Sequence, residues 1–279
     1  MCGIAGCIGG RDIETVNKML DALPHRGPDD RGVHVYGDHV LGHTRLSIVD
    51  VEGGHQPIVA RNGRQAIICN GEIYNYRELR KNLSPEGGFL TESDTEVILR
   101  LYQEKGADCV KDLDGMFAFT ILDGDRFLMA RDPLGIKPLY YGYLKDHMYF
   151  TSELGAMSLA GVDEVHEFPA GHYFTPETGF VQYYEIPEAA DHQTEDVEAA
   201  SALIRDTFIR SVKKRLLADP QVPVGSFCSG GLDSSLIAAI AAEEIPNLHT
   251  FVVGMKDANG KVGDDIKASR IAANHIGST

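Results

Sequence analysis

The chain begins with Met1-Cys2-Gly3-Ile4, and the small residue after the initiator methionine permits that methionine to be removed. Cys2 would then carry both a thiol and a free α-amino group. Because an α-amine has a pKa near ~7.7–8, a fair share is neutral at physiological pH and accepts the thiol proton. One residue then supplies a nucleophile and its general base. Retention of Met1 would turn that amine into an amide and block the mechanism.

The composition of the 279-residue chain predicts one large or two medium domains. Hydrophobic residues make up 43%, enough to form cores, and the formal net charge is −15. A nonspecific nucleic-acid binder needs clustered Lys and Arg, so that class is disfavoured. No apolar run is long enough to span a bilayer, and no signal-peptide pattern is present. We expect a cytoplasmic protein with neither nucleic-acid nor membrane partners.

The chain has five cysteines, an odd number, and no CxxC pair. This pattern disfavours a disulfide scaffold and a zinc ribbon. We expect Cys7, Cys69 and Cys109 to be small buried apolar residues. No residue is assigned as a metal ligand.

The first two thirds of the chain are rich in predicted strands, which lie at 3–10, 33–36, 39–43, 43–50, 66–69, 116–122, 127–130, 141–143 and 148–152. Helices are predicted at 11–23, 76–83 and 93–105. Many strands with few helices between them indicate stacked antiparallel sheets.

Three polar positions stand out against this strand pattern. Asn70-Gly71 presents a side-chain amide beside an unhindered backbone N–H, as an oxyanion hole requires. The alternative is a type I′ hairpin turn, which the helical continuation at 76–83 disfavours. Arg45 inside a strand suits a bidentate clamp on a carboxylate, or else an edge strand in solvent. Asp94 is suited either to capping a helix or to receiving an ammonium group.

After a polar, proline-containing segment at 186–195, the pattern changes to a helix at 197–218, a strand at 222–227, a glycine-rich loop at 229–235, a helix at 236–244, a strand at 249–254 and a helix at 265–275. This order is the start of a doubly wound parallel sheet. Two glycines and three hydroxyls at a strand–helix junction predict a phosphate cradle, with a plain turn as the alternative. The loop lacks the Gly-Lys-Ser/Thr ending of a Walker A loop. We divide the chain into domains 1–190 and 191–279.

Seven motifs in the same order resemble the glutamine-dependent asparagine synthetases of the B type. They are Met1-Cys2-Gly3-Ile4, His25-Arg26-Gly27-Pro28-Asp29, Arg45-Leu46-Ser47-Ile48-Val49-Asp50, Asn70-Gly71-Glu72-Ile73-Tyr74-Asn75, Ser93-Asp94-Thr95-Glu96, Asp114-Gly115-Met116-Phe117-Ala118 and Arg131-Asp132-Pro133-Leu134-Gly135. The resemblance implies an αββα sandwich of the N-terminal nucleophile hydrolase type. The start of an α/β ATP pyrophosphatase domain, with Ser-Gly-Gly-Leu-Asp-Ser at 229–234, would follow it.

The resemblance also assigns roles by position. Cys2 would be the nucleophile, with Asn70 and Gly71 as the oxyanion hole. The implied glutamine site comprises Arg45, Leu46, Ser47, Ile48, Val49, Asn70, Gly71, Glu72 and Asp94. The implied ATP site comprises Cys228, Ser229, Gly230, Gly231, Asp233, Ser234 and Val253. Within the glutamine site, Arg45 would hold the α-carboxylate, and Glu72 and Asp94 the α-ammonium.

The implied reaction of the family is glutamine hydrolysis, with ammonia passed to aspartate that ATP and Mg²⁺ have activated. The family's later acidic glycine motif and most of its aspartate-binding residues are absent from these 279 residues. We therefore expect a longer parent protein and a fragment that hydrolyses glutamine without making asparagine. Because an unfinished parallel sheet exposes apolar faces and an unpaired strand, we expect oligomerisation, which could be a homodimer, disorder after about Glu195, or poor solubility.

Three alternatives remain at this point. The first is another amidotransferase with a different ammonia acceptor, which the loop at 229–235 disfavours. The second is a peptide- or antibiotic-forming cyclase, in which the cysteine is often lost. The third is a non-enzymatic remnant.

Overall fold

The computed structural model describes residues 1–84, 87–188, 196–255 and 263–279. The chain divides into a first unit, Met1–Glu188, and a second unit, Ala189–Thr279. Part of the predicted linker, residues 189–195, lies outside the described residues. From Asp196 onward the described residues form helices and strands, so of the three expectations for this segment disorder is not what these residues show.

Two six-stranded sheets form the centre of the first unit. The first sheet has the order β10 (Val165–Glu167), β8 (Tyr140–Leu144), β9 (His147–Thr151), β1 (Gly3–Ile8), β3 (His39–Arg45) and β2 (Asp30–Tyr36). The second has the order β12 (Gly179–Gln182), β11 (His172–Thr175), β7 (Arg126–Arg131), β6 (Gly115–Asp123), β5 (Gln65–Ile73) and β4 (Ile58–Val59). Neighbouring strands are antiparallel throughout both sheets, as predicted.

Helices complete the predicted αββα sandwich. Helices α1 (Ile13–Asp21) and α4 (Leu154–Ala160) pack on the outer face of the first sheet, and α3 (Asp94–Lys105) packs on β5 of the second. Helix α2 (Tyr76–Asn82) and a 3₁₀ helix (Gly106–Asp112) contact α3. Ser93 caps α3, its side chain accepting from the Thr95 N–H.

Strand alternation decides which side chains enter the layer between the sheets. In β1, Ile4 and Ile8 belong to the core between the sheets, whereas Ala5 and Cys7 pack under the helices. The same core holds Leu41 of β3 and Ile68 of β5. Successive strand residues face opposite sides, so the positions two and four further along share a face. Cys2, Asn70 and Arg45 therefore extend this layer.

The second unit contains α5 (Val197–Lys213), β13 (Gly225–Phe227), α6 (Leu232–Glu244), β14 (His249–Phe251) and α7 (Asp264–Ile276). The two strands pair in parallel, as the predicted doubly wound pattern requires. Its core is small and includes Cys228, Ala238, Ile240 and Leu248.

Several boundaries differ from the sequence predictions. The strand predicted at 43–50 ends at Arg45, because the following residues turn back and the Arg45 guanidinium binds the carbonyls of Val49, Asp50 and Val51. The strand predicted to stop at Cys69 continues through Asn70-Gly71 to Ile73, so this pair is not a turn. Helix α6 begins at Leu232 instead of residue 236, and α4 was not predicted.

Candidate functional site

A cavity of about 90 Å³ lies in the first unit, where the core between the sheets ends. Its wall contains eight of the nine residues expected in a glutamine site, namely Arg45, Leu46, Ile48, Val49, Asn70, Gly71, Glu72 and Asp94, together with Cys2. Ser47 is the exception, and its N–H donates to Asp29 Oδ2 at 2.8 Å. The structure thus brings one chain terminus, two sheets and the start of α3 to a single point.

Cys2 projects its sulfur into this cavity beside the backbone of Leu46. The Leu46 N–H donates to Cys2 Sγ at 3.4 Å, and the Leu46 carbonyl lies 3.7 Å from the same atom. Burial raises the pKa of the Cys2 thiol, although the Leu46 hydrogen bond and the charges of the chain-terminal amine and Arg45 oppose that effect. The thiol therefore requires a base to become a nucleophile.

The α-amine of the chain lies at the same cavity, carried by Met1, which is part of the wall. Burial lowers the pKa of this amine, and the cations Lys137 and Arg26 lower it further, whereas the Cys2 thiol and Glu72 act in the opposite direction. A lowered pKa increases the neutral fraction that accepts a proton. Small-ligand sites typically enclose roughly 300 Å³ or more, so loss of Met1 would bring this cavity closer to that size.

Arg26 and Asn70 hold the main chain of Cys2 in place. Arg26 Nε donates to the Cys2 carbonyl at 2.9 Å. The Asn70 amide, oriented from its hydrogen-bond partners, places Nδ2 3.1 Å from that carbonyl and Oδ1 3.3 Å from Arg26 Nη2. An amide nitrogen has two N–H groups, so one remains for a further acceptor.

The N–H of Gly71 points away from β6, on the cavity side of β5. Two residues before and after it, Cys69 N–H donates to Gln56 Oε1 at 2.7 Å and Ile73 N–H donates to Asp94 Oδ2 at 2.9 Å. Backbone N–H groups two residues apart in a strand share one direction. The Gly71 N–H therefore joins the Asn70 amide as a second donor on the cavity side.

Arg45 is buried on the cavity wall, and its guanidinium is already engaged. Nη1 donates to the Val51 carbonyl at 3.1 Å, and Nη2 donates to the carbonyls of Val49 and Asp50 at 3.0 and 2.6 Å. A guanidinium has five N–H donors, so about two remain for a ligand carboxylate. The edge-strand alternative is wrong, because Arg45 is only 3% exposed.

Two acids share the wall with these cations. Burial raises the pKa of Asp94, opposed by its hydrogen bonds from the backbone of Ile73 and Thr95. Burial also raises the pKa of Glu72, and the Lys137 ammonium opposes that rise. A buried and a half-buried carboxylate at one cavity are electrostatically suited to a cationic ligand group.

Three polar residues of this site lie outside every motif singled out from the sequence. Lys137 and Gln56 lie on the cavity wall, and Glu153 binds Arg26 from the far side. Lys137 is held by a rigid loop, since the buried Asp132 carboxylate accepts the N–H groups of residues 134, 136 and 137. The Arg131–Gly135 motif was the available signal for that loop. No local pattern indicated Glu153, which lies 127 residues from Arg26.

In the second unit, the predicted phosphate loop leads from β13 into α6. Ser229 N–H donates to Ser234 Oγ at 3.2 Å, and the hydroxyls of these two serines lie 3.1 Å apart. Gly230 has a φ of +84° and touches the backbone of Ala268 so closely that a Cβ would lie 2.3 Å from it. Helix α6 has no side-chain cap, so its first N–H groups suit an anion such as phosphate.

The remaining predicted ATP-site residues have different environments. Cys228 is buried, and its N–H donates to the Phe251 carbonyl at 2.8 Å, so that donor is used within the sheet. Val253 is 85% exposed. Asp233 is exposed in the first turn of α6.

Two features are absent from the part of the chain that the structure describes. No group of three or more His, Cys, Asp or Glu is arranged to hold a metal ion in residues 1–84, 87–188, 196–255 and 263–279. These residues thus contain no such donor set for Mg²⁺. No helix in the same ranges is long and apolar enough to cross a membrane.

Comparison with known proteins agrees with this arrangement. Residues 1–195 match the family described as glutamine amidotransferase domain, and residues 203–279 match the asparagine synthase family. A glutamine-hydrolyzing asparagine synthetase of Oryza sativa subsp. japonica is 37% identical over 296 residues, covering 100% of this chain and 49% of that protein. Asparagine synthetase B of Escherichia coli is 38% identical over 302 residues, covering 100% and 53%. The chain spans about half the length of the curated relatives it matches.

A solved structure supports the fold. Glutamine phosphoribosylpyrophosphate amidotransferase from B. subtilis has a TM-score of 0.59 at 20% identity, covering 92% of this chain and 67% of that one. The likeness at this identity concerns the fold alone. The sequence match over residues 1–195 is the stronger finding, and by it the chain belongs to the glutamine amidotransferase family.

Proposed function

We propose that the first unit hydrolyses glutamine to glutamate and ammonia, with Cys2 as the nucleophile. The observation that carries the proposal is the convergence of Cys2, two amide donors, the buried Arg45, the buried Asp94 and the half-buried Glu72 on one cavity. Glutamine carries a carboxylate and an ammonium on its α-carbon. Arg45 and the pair Glu72 and Asp94 match those two charges.

The reaction begins when Met1 has been removed and the α-amine belongs to Cys2. The neutral amine takes the thiol proton, and the sulfur attacks the side-chain amide carbon of glutamine. The carbonyl π electrons move to oxygen, and the Asn70 amide and the Gly71 N–H stabilise that oxyanion. One such donor contributes about 2.7–4 kcal/mol in comparable sites.

Collapse of the tetrahedral intermediate breaks the C–N bond and leaves a thioester on Cys2. The protonated α-amine gives its proton to the departing nitrogen, so the product is ammonia. Water then attacks the thioester, the C–S bond breaks, and glutamate leaves with the thiol restored. Atoms and charges balance with no oxidant or cofactor for this half-reaction.

The acceptor proposal concerns the longer protein that the relatives represent. We propose that ammonia is transferred there to aspartate activated by ATP, because residues 203–279 match the asparagine synthase family. Ser229, Gly230, Gly231, Asp233 and Ser234 would hold the pyrophosphate part of ATP, with Cys228 and Val253 near the nucleotide. ATP supplies the activating group when bound, and Mg²⁺ would accompany it. A cytoplasmic location and a homodimer are part of the same proposal.

The decisive experiment measures glutamate release from glutamine by the 279-residue chain and by Cys2→Ala. We expect Cys2→Ala to lower the rate by at least about 1,000-fold, since both nucleophile and thioester are lost. Cys109→Ala is the matched control, because Cys109 is buried outside the cavity, and its rate should stay within about threefold. A Cys2→Ala protein with the full rate would refute the proposal.

Two further readouts test its remaining parts. Mass spectrometry of the purified chain should show that Met1 is absent, whereas an active protein that retains Met1 would disprove the role of the α-amine. The same chain, given aspartate, ATP and glutamine, should form no asparagine. Net asparagine synthesis would contradict the expectation that this segment lacks a complete acceptor site.

A further inference from the structure

Glu153 lies outside the cavity wall and binds the residue that holds Cys2. It precedes α4, and its Oε1 accepts from Arg26 Nη1 at 2.9 Å and lies 2.9 Å from His25 Nε2. Burial raises the pKa of Glu153, but hydrogen bonds from Arg26 and His25 outweigh this and keep the pKa below its usual value. Glu153 is therefore a carboxylate when it meets the Arg26 guanidinium.

The corner that carries Glu153 is itself attached to the first strand. The preceding residue, Ser152, accepts the Ile4 N–H on its Oγ at 3.0 Å, and its own N–H donates to the Ile4 carbonyl at 3.0 Å. Ile4 lies two residues from Cys2. These two hydrogen bonds thus fix the Glu153 carboxylate relative to β1, the strand that directly follows Cys2.

Each nitrogen of Arg26 has a separate task. Nε donates to the Cys2 carbonyl at 2.9 Å, Nη2 to Asn70 Oδ1 at 3.3 Å and Nη1 to Glu153 at 2.9 Å. Arg26 is only 8% exposed, and a buried guanidinium without a counter-charge is unfavourable. Among the described residues, Glu153 is the carboxylate within ion-pair distance of Arg26.

The orientation of the Asn70 amide depends on this arrangement. A side-chain amide has two orientations that differ by a half turn, and they exchange donor and acceptor. Arg26 Nη2 beside Oδ1 selects the orientation in which Nδ2 faces Cys2. Only in that orientation does the amide donate to the Cys2 carbonyl and keep a second N–H on the same nitrogen for a ligand oxygen.

We propose that Glu153 is a positioning residue for glutamine hydrolysis, which fixes Arg26 and through it the Asn70 amide and the Cys2 main chain. The inference rests on the proposed function, since it concerns the same reaction. Glu153 does not touch the substrate in this scheme. Its loss should weaken stabilisation of the oxyanion and leave the thiol itself reactive.

The test compares two reactions of the same sulfur in Glu153→Gln. Alkylation of Cys2 by iodoacetamide is a direct displacement that forms no oxyanion, whereas glutamine hydrolysis requires one. We expect kcat for hydrolysis to fall at least about tenfold, KM to change less than about threefold, and the alkylation rate to stay within about twofold. Unchanged kcat, a change in KM alone, or an equal fall in both reactions would overturn the proposal.

Two control variants separate positioning from general destabilisation. Glu167→Gln removes the carboxylate that pairs with another buried arginine, Arg131 at 2.7 Å, and Glu167 lies outside the cavity wall. Glu167→Gln should leave kcat within about twofold of the unchanged protein, even where it changes the thermal midpoint as much as Glu153→Gln does. Glu153→Asp, which keeps the charge, should recover part of the lost rate; a rate no higher than that of Glu153→Gln would overturn the proposal.

A double variant tests the route through Arg26. In Arg26→Lys the side chain cannot contact Cys2, Asn70 and Glu153 at the same time. Adding Glu153→Gln to this variant should therefore lower kcat by less than about a further twofold. A full additive loss would show that Glu153 acts by another path. Activity of the unchanged protein and of Cys2→Ala, measured alongside, reports separately on the proposed function.

Discussion

The cavity of the first unit and the glycine-rich loop of the second are organised by different means. In the cavity, side chains from distant parts of the sequence are buried together, with Asn70 1% and Asp94 7% exposed. In the loop, Ser229 and Ser234 bind each other across five residues, and neighbours such as Leu232 and Phe227 are about three quarters exposed, at 76% and 74%. The first site depends on tertiary structure, whereas the second depends mainly on local geometry.

This difference predicts how far the effect of a substitution extends within each unit. Removing a contact in the first unit disturbs several partners at once, because its polar groups form one network. A change in the loop at 229–234 alters the loop itself and the part of α7 that Gly230 touches. Glutamine hydrolysis should therefore respond to the first kind of change and be insensitive to the second.

A pair of glycine variants tests this difference between the two units most directly. At Gly71 a Cβ would lie 2.5 Å from the Met116 carbonyl oxygen, and at Gly230 it would lie 2.3 Å from the Ala268 backbone. Each clash should cost about 3 kcal/mol or more in its own unit. We expect Gly71→Ala to lower glutamate release at least about 100-fold and Gly230→Ala to leave it within about twofold. Equal losses in the two variants would show that the units do not respond independently.

Acid stability gives a second contrast, through His43. This residue is fully buried in the first unit, its Nε2 lies 3.1 Å from the Cys69 carbonyl and its Nδ1 has no partner among the described residues. Burial lowers the pKa of His43 from 6.5 to about 4. Above pH ~6.5 neither the folded nor the unfolded chain protonates it, so it has no effect there.

Between pH ~6.5 and ~4 the unfolded chain binds a proton at His43 that the folded chain excludes. The folded state is therefore destabilised progressively, by about 3 kcal/mol at the acid end. We expect His43→Gln to lose less free energy of unfolding than the unchanged protein between pH 7 and pH 4. His249→Gln in the second unit is the control, because His249 is exposed. Identical acid profiles for all three proteins would contradict this account.

The sequence predicted the layers and the members of the site, but not how the site is held. Strand alternation places Cys2, Arg45 and Asn70 in one layer, and this periodic signal is readable without a structure. The turn after Arg45 was mistaken for a strand, because Leu46, Ile48 and Val49 are apolar and β-prone. Asp50 has a φ of +53° and the Arg45 guanidinium gathers the carbonyls of this segment, which are properties of the folded loop.

Long-range partners were beyond sequence reasoning for a physical reason. Glu153 meets Arg26 only because β9 pairs with β1, and nothing local in either segment marks the contact. From the sequence, Lys137 cannot be told from an ordinary loop cation. Its position is set in the fold, where the Asp132 carboxylate accepts the N–H groups of Ile136 and Lys137. Tertiary packing decides both positions, whereas hydrophobic periodicity reports only the face of an element.

The smallest expected effect, and the sharpest test of electrostatics at the cavity, concerns Lys137. Its side chain is 5% exposed on the wall, and its charge lowers the pKa of the Met1 α-amine, which also faces the Cys2 thiol, Arg26 and Glu72. Once Met1 is removed, we expect the same cation to act on the α-amine of Cys2, which lines the same cavity. That amine must be neutral to accept the thiol proton, so glutamine hydrolysis is lost as pH falls through its pKa. Replacing Lys137 by uncharged methionine should raise this pKa and move the acid limb of the kcat profile to higher pH by about one unit.

Lys137→Arg keeps the charge and should leave the acid limb within about 0.3 pH units of the unchanged protein. Lys213→Met, which removes an exposed lysine paired with Glu244 in the second unit, should not move it at all. The kcat profile is the appropriate measurement, because it reports groups in the substrate complex and is less affected by the titration of Glu72 in the free protein. An acid limb that stays in place in Lys137→Met, or moves to lower pH, would show that the cation does not act on the base and that burial alone adjusts the amine.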